Sequence, residues 1–226
     1  MQRRTVEAGG SRTGYLRAGS GTPVVLLHGG LADGRAWKRQ VATFAGRHHV
    51  LAWDAPGCGA SDDPPRGASL ADYADRLAAF VTALGLDRPH LVGLSFGGGL
   101  ALSTAARHPG LPRSVVAASA YAGWGGSLPA EEVRRRAAFA ERACDEPAQA
   151  WLPGFLESLF GSGGPDERAE EIAAIAAERR PEGARAMVYA FAEADLRDDL
   201  PGIEAPTLRL FGDEDFRSPA SVAEAI

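Results

Sequence analysis

Leu91-Val92-Gly93-Leu94-Ser95-Phe96-Gly97-Gly98-Gly99 is a short apolar run that ends in a serine fenced by glycines and opens into an alanine-rich segment. It reads as strand, sharp turn, helix. A serine at such a corner is held in a strained backbone conformation that lifts its hydroxyl out of the sheet, and its neighbours must lack bulk so that strand and helix approach closely. Gly93 and Gly97 supply that room. The G-x-S-x-G pattern is short enough to arise by chance, so the surrounding chain decides its meaning.

Working outward, residues 23–27 form a continuous apolar run that stops at His28-Gly29-Gly30, as expected of a central parallel strand buried on both faces. Residues 36–44 carry Trp37, Val41 and Phe44 at helical spacing, and residues 49–53 resume strand character before Asp54-Ala55-Pro56-Gly57-Cys58-Gly59. Residues 3–8 and 13–18 read as a hairpin. Ser69 and Asp72 stand in capping-box relation at the head of a helix whose stripe is Leu70, Tyr73, Leu77, Phe80, Val81 and Leu84, and Gly85 stops it. The helix after Ser95 is predicted to run to about Arg107, and residues 114–119 form another strand-like run. Strands alternating with helices predict an α/β fold, a mainly parallel sheet with helices on both faces. Ligands of such sheets lie beyond the strand carboxyl ends, where His28, Asp54 and Ser95 gather.

Between residues 121 and 199 strand-like runs vanish and helical stretches take over, with breaks expected near Pro147, Pro153, residues 161–165 and Pro181. Strand character returns at residues 206–211, followed by Gly212-Asp213-Glu214-Asp215 and Pro219. The expected organisation is a core of residues 1–120 and 200–226 carrying an inserted helical cap of residues 121–199.

The chain has 226 residues, 45% of them hydrophobic and 23% charged, enough to bury a sizeable core. Its net charge of −5 comes from interspersed rather than blocked residues, which recommends neither nucleic acid nor an anionic membrane as partner. The two cysteines, Cys58 and Cys144, suit reduced thiols, and no apolar run reaches the roughly 18 residues of a membrane span. The N-terminus lacks the apolar core of a signal peptide, so a cytoplasmic protein is expected.

A serine hydroxyl becomes a nucleophile only when a base removes its proton, an acid orients the base and backbone donors await the oxyanion. Ser95 is the candidate nucleophile; the N–H of Phe96, at the positive end of its helix, and that of Gly30, unobstructed by a side chain, are the candidate oxyanion donors. Asp213, Glu214 and Asp215 all stand where the acid belongs, and spacing does not choose among them. Asp54 is accounted for by the turn it opens. His28 sits beside the oxyanion loop in a place suited to fixing it, while His48, His49, His90 and His108 fall on the opposite edge of the sheet, so no histidine offers itself as base. Nothing has metal-ligand or phosphate-loop spacing, and no metal or cofactor is expected. Trp37, Tyr121 and Trp124 are candidate walls of an apolar pocket under the cap, and Arg134, Arg135 and Arg136 read as a solvated helix face, with a substrate carboxylate as their other use.

Together, His28-Gly29-Gly30, the stretch from Asp54 to Ser61, Gly93-Leu94-Ser95-Phe96-Gly97-Gly98 and Gly212-Asp213-Glu214-Asp215 with Pro219 resemble the α/β-hydrolase fold superfamily. The likeness is greatest to small bacterial serine hydrolases grouped with 3-oxoadipate enol-lactonases, esterases and cofactor-free haloperoxidases. The resemblance implies Ser95 as nucleophile, Phe96 and Gly30 as the oxyanion hole, Asp215 as the acid, and a small ester, lactone or thioester as substrate. It also implies a catalytic histidine a few tens of residues after the acid, beyond residue 226, with one more strand and helix. The expectation is therefore a C-terminally truncated hydrolase, inactive without that histidine. C–C bond hydrolysis, perhydrolysis and ligand binding without turnover are alternatives that share these residues.

Overall fold

The computed structural model describes residues 1–160, 162–224 and 226. Seven strands, β1 (Gln2–Ala8), β2 (Ser11–Ala18), β3 (Pro23–Leu27), β4 (His49–Trp53), β5 (His90–Leu94), β6 (Ser114–Ala118) and β7 (Thr207–Leu210), form one sheet in the order β1-β2-β4-β3-β5-β6-β7. β1 and β2 pair as a hairpin around Gly9-Gly10 and β2 meets β4 antiparallel, while the neighbours from β4 to β7 are parallel. The carboxyl ends of β3, β4, β5, β6 and β7 thus share one edge, the edge on which the sequence places its functional loops.

Alternation along the buried strands sorts the core into two layers. Val25, Leu27, Leu51, Trp53 and Leu91 pack with residues of α2 (Leu70–Ala83) and α3 (Phe96–Arg107). Val24, Leu26, Val50 and Ala52 pack with Val41 of α1 (Lys38–Phe44). The capping box of α2 forms as expected, with Ser69 and Asp72 satisfying each other's backbone donors.

Between β6 and β7 the chain is helical: α4 (Trp124–Ser127), α5 (Ala130–Asp145), α6 (Ala148–Glu157), α7 (Arg168–Ala177) and α8 (Pro181–Ala192); a short α9 (Ala220–Glu224) follows β7. Pro147 and Pro181 stand at helix starts, but Pro153 does not break the chain: it lies inside α6. Pro153 is exposed, so the backbone carbonyl deprived of its partner one turn earlier faces water rather than a packed interior. Gly161, within the break expected at 161–165, lies outside the described residues.

The helical segment meets the sheet edge at a seam of mixed chemistry. Met187, Ala190 and Phe191 of α8 belong to the main core, and Gly57 and Gly183 bring bare backbone together, since a Cβ on either would overlap the other residue. Around this contact run the pairs Arg35 to Glu178 (2.7 Å), Arg39 to Glu167 (3.0 Å) and Arg180 to Asp63 (3.1 Å).

Candidate active site

Ser95 stands between the last residue of β5 and the first of α3 with φ 54° and ψ −113°, a conformation that L-residues rarely adopt. Its backbone is held from both sides: the N–H donates to Ala118 of β6 (2.9 Å), and the carbonyl accepts from Gly98 (2.9 Å) and Gly99 (3.1 Å). Its side chain makes no capping bond to α3, so the hydroxyl is not used to finish the helix. The glycines explain how the corner closes. A Cβ on Gly93 would overlap the backbone of Gly97, and one on Gly97 would overlap the backbone of Leu27 and His28 at the end of β3. The first turn of α3 leaves the Phe96 N–H without an intrahelical partner, beside the serine.

The loop after β3 comes up against this corner. A Cβ on Gly29 would sit 3.6 Å from that of Ser95, whereas one on Gly30 would meet nothing within 4 Å, so the backbone of Gly30 faces open space. His28 is buried and joins two loops. Its Nε2 accepts the N–H of Ala55 (3.1 Å), which assigns the proton to Nδ1, and Nδ1–H donates to the carbonyl of Gly29 (2.8 Å). Burial lowers the imidazole's pKa and keeps it neutral; with both nitrogens engaged it is a brace, not a free base.

Asp54 is a second brace. Its buried carboxylate accepts N–H bonds from Gly34 (2.8 Å) and Ala60 (2.9 Å) and pairs with Arg3 (3.3 Å), tying the turn after β4 to the segment that follows β3 and to the first strand. Leu31 is a feature that sequence reading missed: this non-glycine residue has φ 59°, and its side chain packs on Trp151, Phe155, Ala143 and Ala176 of the helical segment. No residue type announces such a conformation; the packing imposes it.

The structure separates the three acids after β7. Asp213 is exposed, and Glu214 reaches the N–H (2.7 Å) and hydroxyl (3.1 Å) of Ser162. Half-buried Asp215 accepts the N–H groups of Arg217 (3.0 Å) and Ser218 (2.8 Å) on Oδ1. Ser218 is buried and its hydroxyl donates to Ala120 (3.2 Å), which fixes the turn to the end of β6.

Tyr121 and Trp124 lie on this edge. Both pack on Phe191, with ring centroids 5.9 and 5.7 Å away, and Phe191 in turn contacts Phe96 at 5.4 Å. Trp37 is not among them, a correction to its expected place in the pocket. It ends the short 3-10 turn before α1 and packs with Leu16, Val24, Leu26, Val41 and Val50, because its turn carries it into the second core layer. Nor are the three arginines of α5 uniformly a solvated face: Arg135 is exposed and paired with Glu132 (2.6 Å), but Arg136 turns inward.

A cavity of about 170 Å³ opens beside Leu31, bounded by Cys58, Met187, Arg179 and Arg180 among others. Arg179 lies over Trp151 at 4.5 Å and has no carboxylate partner among the described residues. Of the other histidines, His49 and His90 stand at the amino ends of β4 and β5, His48 precedes β4, and His108 bonds Asp75 (2.8 Å) at the end of α3. Among the described residues no cluster could hold a metal ion, and no helix there is long and apolar enough to cross a membrane.

Residues 22–178 match the family model described as alpha/beta hydrolase fold. The chain belongs to that family. It is 28% identical over 239 aligned residues to the (E)-2-((N-methylformamido)methylene)succinate hydrolase of Acinetobacter baylyi, an alignment covering 98% of this chain and 84% of that protein. An esterase from Exiguobacterium antarcticum superposes with a TM-score of 0.89 at 26% identity, covering 99% of this chain and 85% of that one. The enol-lactonase of Burkholderia xenovorans LB400 shares the fold, with a TM-score of 0.83 at 24% identity over 99% of this chain and 88% of that one. The relatives named are hydrolases, and this chain shares their family and fold.

Proposed function

We propose that the protein cleaves a small ester, lactone or thioester by way of an acyl-enzyme. Ser95 attacks the carbonyl carbon, the N–H groups of Phe96 and Gly30 receive the oxyanion, and water then resolves the acyl-serine. Asp215, through Oδ2, is the acid that orients the base. That base must be a histidine at this edge, which none of the five in residues 1–226 supplies. Residues 121–199 serve as a cap over the core of residues 1–120 and 200–226, with Tyr121 and Trp124 in the pocket wall. The observation that carries this reading is Ser95 itself: an uncapped hydroxyl on a strained corner, against a glycine loop with open space before it.

The test is labelling of residues 1–226 with a fluorophosphonate probe, with imidazole added as an external base. Labelling of Ser95 that is faster with imidazole and absent from Ser95→Ala is the expected result. No labelling under either condition overturns it in favour of a ligand-binding protein of the same fold.

A further inference from the structure

Arg136 of α5 is 11% exposed, and each of its nitrogens is committed. Nε donates to Glu132 (2.6 Å), Nη1 to the phenol oxygen of Tyr121 (2.9 Å) and Nη2 to the carbonyl of Arg217 (2.8 Å). The Tyr121 hydroxyl donates to that same carbonyl. The guanidinium also lies over the rings of Tyr121 (5.5 Å) and Trp124 (5.7 Å). Glu132 keeps its negative charge beside it, since the hydrogen bond from Arg135, then burial working the other way, then the bond from Arg136 bring its pKa to about 2.

The carbonyl of Arg217 and the N–H of Ser218 belong to one peptide group. On one side of that peptide stand a cation and a phenol as donors; on the other, its N–H donates to Oδ1 of Asp215 at 2.8 Å. Hydrogen bonds in series polarise one another, and a charged first donor strengthens the next bond in the chain. The Arg217 N–H completes the occupation of Oδ1, while Oδ2 has no hydrogen bond among the described residues. The far side of the turn is pinned as well. Arg217 donates Nη1 to Ser158 (2.7 Å) just past α6 and lies over Phe155 at 5.6 Å.

We infer that Arg136 is a positioning residue for Asp215, acting through the peptide that joins Arg217 to Ser218, so that the seating of α5 is communicated to the acid. The inference rests on Asp215 being the catalytic acid. A guanidinium that merely fastened α5 to the core would affect stability alone. One that polarises this peptide must also alter the amide proton of Ser218 and the reactivity of the serine.

The experiment compares wild type with Arg136→Met, Arg136→Lys and Arg135→Met, the last being an exposed neighbour that shares Glu132 but does not touch residue 217. In proton–nitrogen spectra of the folded proteins, Arg136→Met moves the Ser218 amide proton upfield, Arg136→Lys restores part of the shift, and Arg135→Met leaves it in place. Labelling of Ser95 by the fluorophosphonate in the presence of imidazole slows about tenfold in Arg136→Met, the scale of one charge-assisted hydrogen bond, and is unchanged in Arg135→Met. An unmoved Ser218 amide, or a labelled wild type whose rate Arg136→Met leaves unchanged, overturns this inference alone. A wild-type protein that is never labelled sinks the hydrolase reading instead, while the Ser218 amide still reports whether the relay exists.

Discussion

Gly97 lies against the carbonyl of Leu27, so closely that the first carbon of any side chain there would overlap it. The contact joins α3 to β3 directly below the serine, and both partners are backbone, which leaves no flexible side chain to yield. Gly97→Ala should therefore cost about 3 kcal/mol, the upper range for forcing extra volume into a packed site. Urea denaturation at neutral pH measures it, and a loss below about 1 kcal/mol would show that β3 and α3 can part.

Ser95 carries the opposite kind of prediction. Its φ of 54° and ψ of −113° are strained for serine but open to glycine. Ser95→Gly should raise stability by about 1 kcal/mol, whereas Ser95→Ala, which keeps the Cβ, should not. Equal melting temperatures for the two variants would place the strain elsewhere.

How far the sequence discloses the molecule follows from where each signal is local. The parallel strands and the α2 capping box were legible because continuous apolar runs and a Ser-x-x-Asp pair act within a few residues. The serine corner was legible because glycine is needed on both sides. Trp37 misled because periodicity says that a residue is buried and not which layer receives it; its turn sends it beneath the sheet. Leu31 and Arg136 were hidden for another reason. The strain of one and the inward turn of the other are imposed by residues more than a hundred and about eighty positions away, respectively.

His28 gives a pH dependence. Burial depresses its pKa below 6.5 in the folded protein, so below that pH the unfolded chain binds a proton that the folded chain resists. Its contribution is complete above pH 6.5 and declines as pH falls from there, with a limiting slope of about 1.4 kcal/mol per pH unit. Denaturation of wild type and His28→Gln at pH 7 and pH 5 should show a smaller drop in the variant. Parallel pH dependence in the two would remove His28 from the titration.

The two arginines Arg35 and Arg39, both at the seam, should differ in worth. Arg35 makes bidentate bonds to the nearly buried Asp33, whose pKa stays low because that bonding outweighs the burial that raises it. Arg35→Gln leaves this carboxylate short of its donors and should cost about 2 kcal/mol. Arg39 bonds exposed Glu167 and Glu171 in open solvent, and Arg39→Gln should barely change stability. Thermal melts at low and high salt separate them: only the small Arg39 effect should vanish with salt.

The meeting of Gly57 with Gly183 bears on how such a scaffold is remade. Two bare backbones in contact form a joint with a fixed stand-off, shorter than any pair of side chains permits. A helical segment borrowed from a relative will seat at the same height only if it brings a glycine to that position; with a larger residue it rides up from the turn after β4. The height of the helical segment above the sheet edge is thus set at one glycine pair, by the thickness of a single residue.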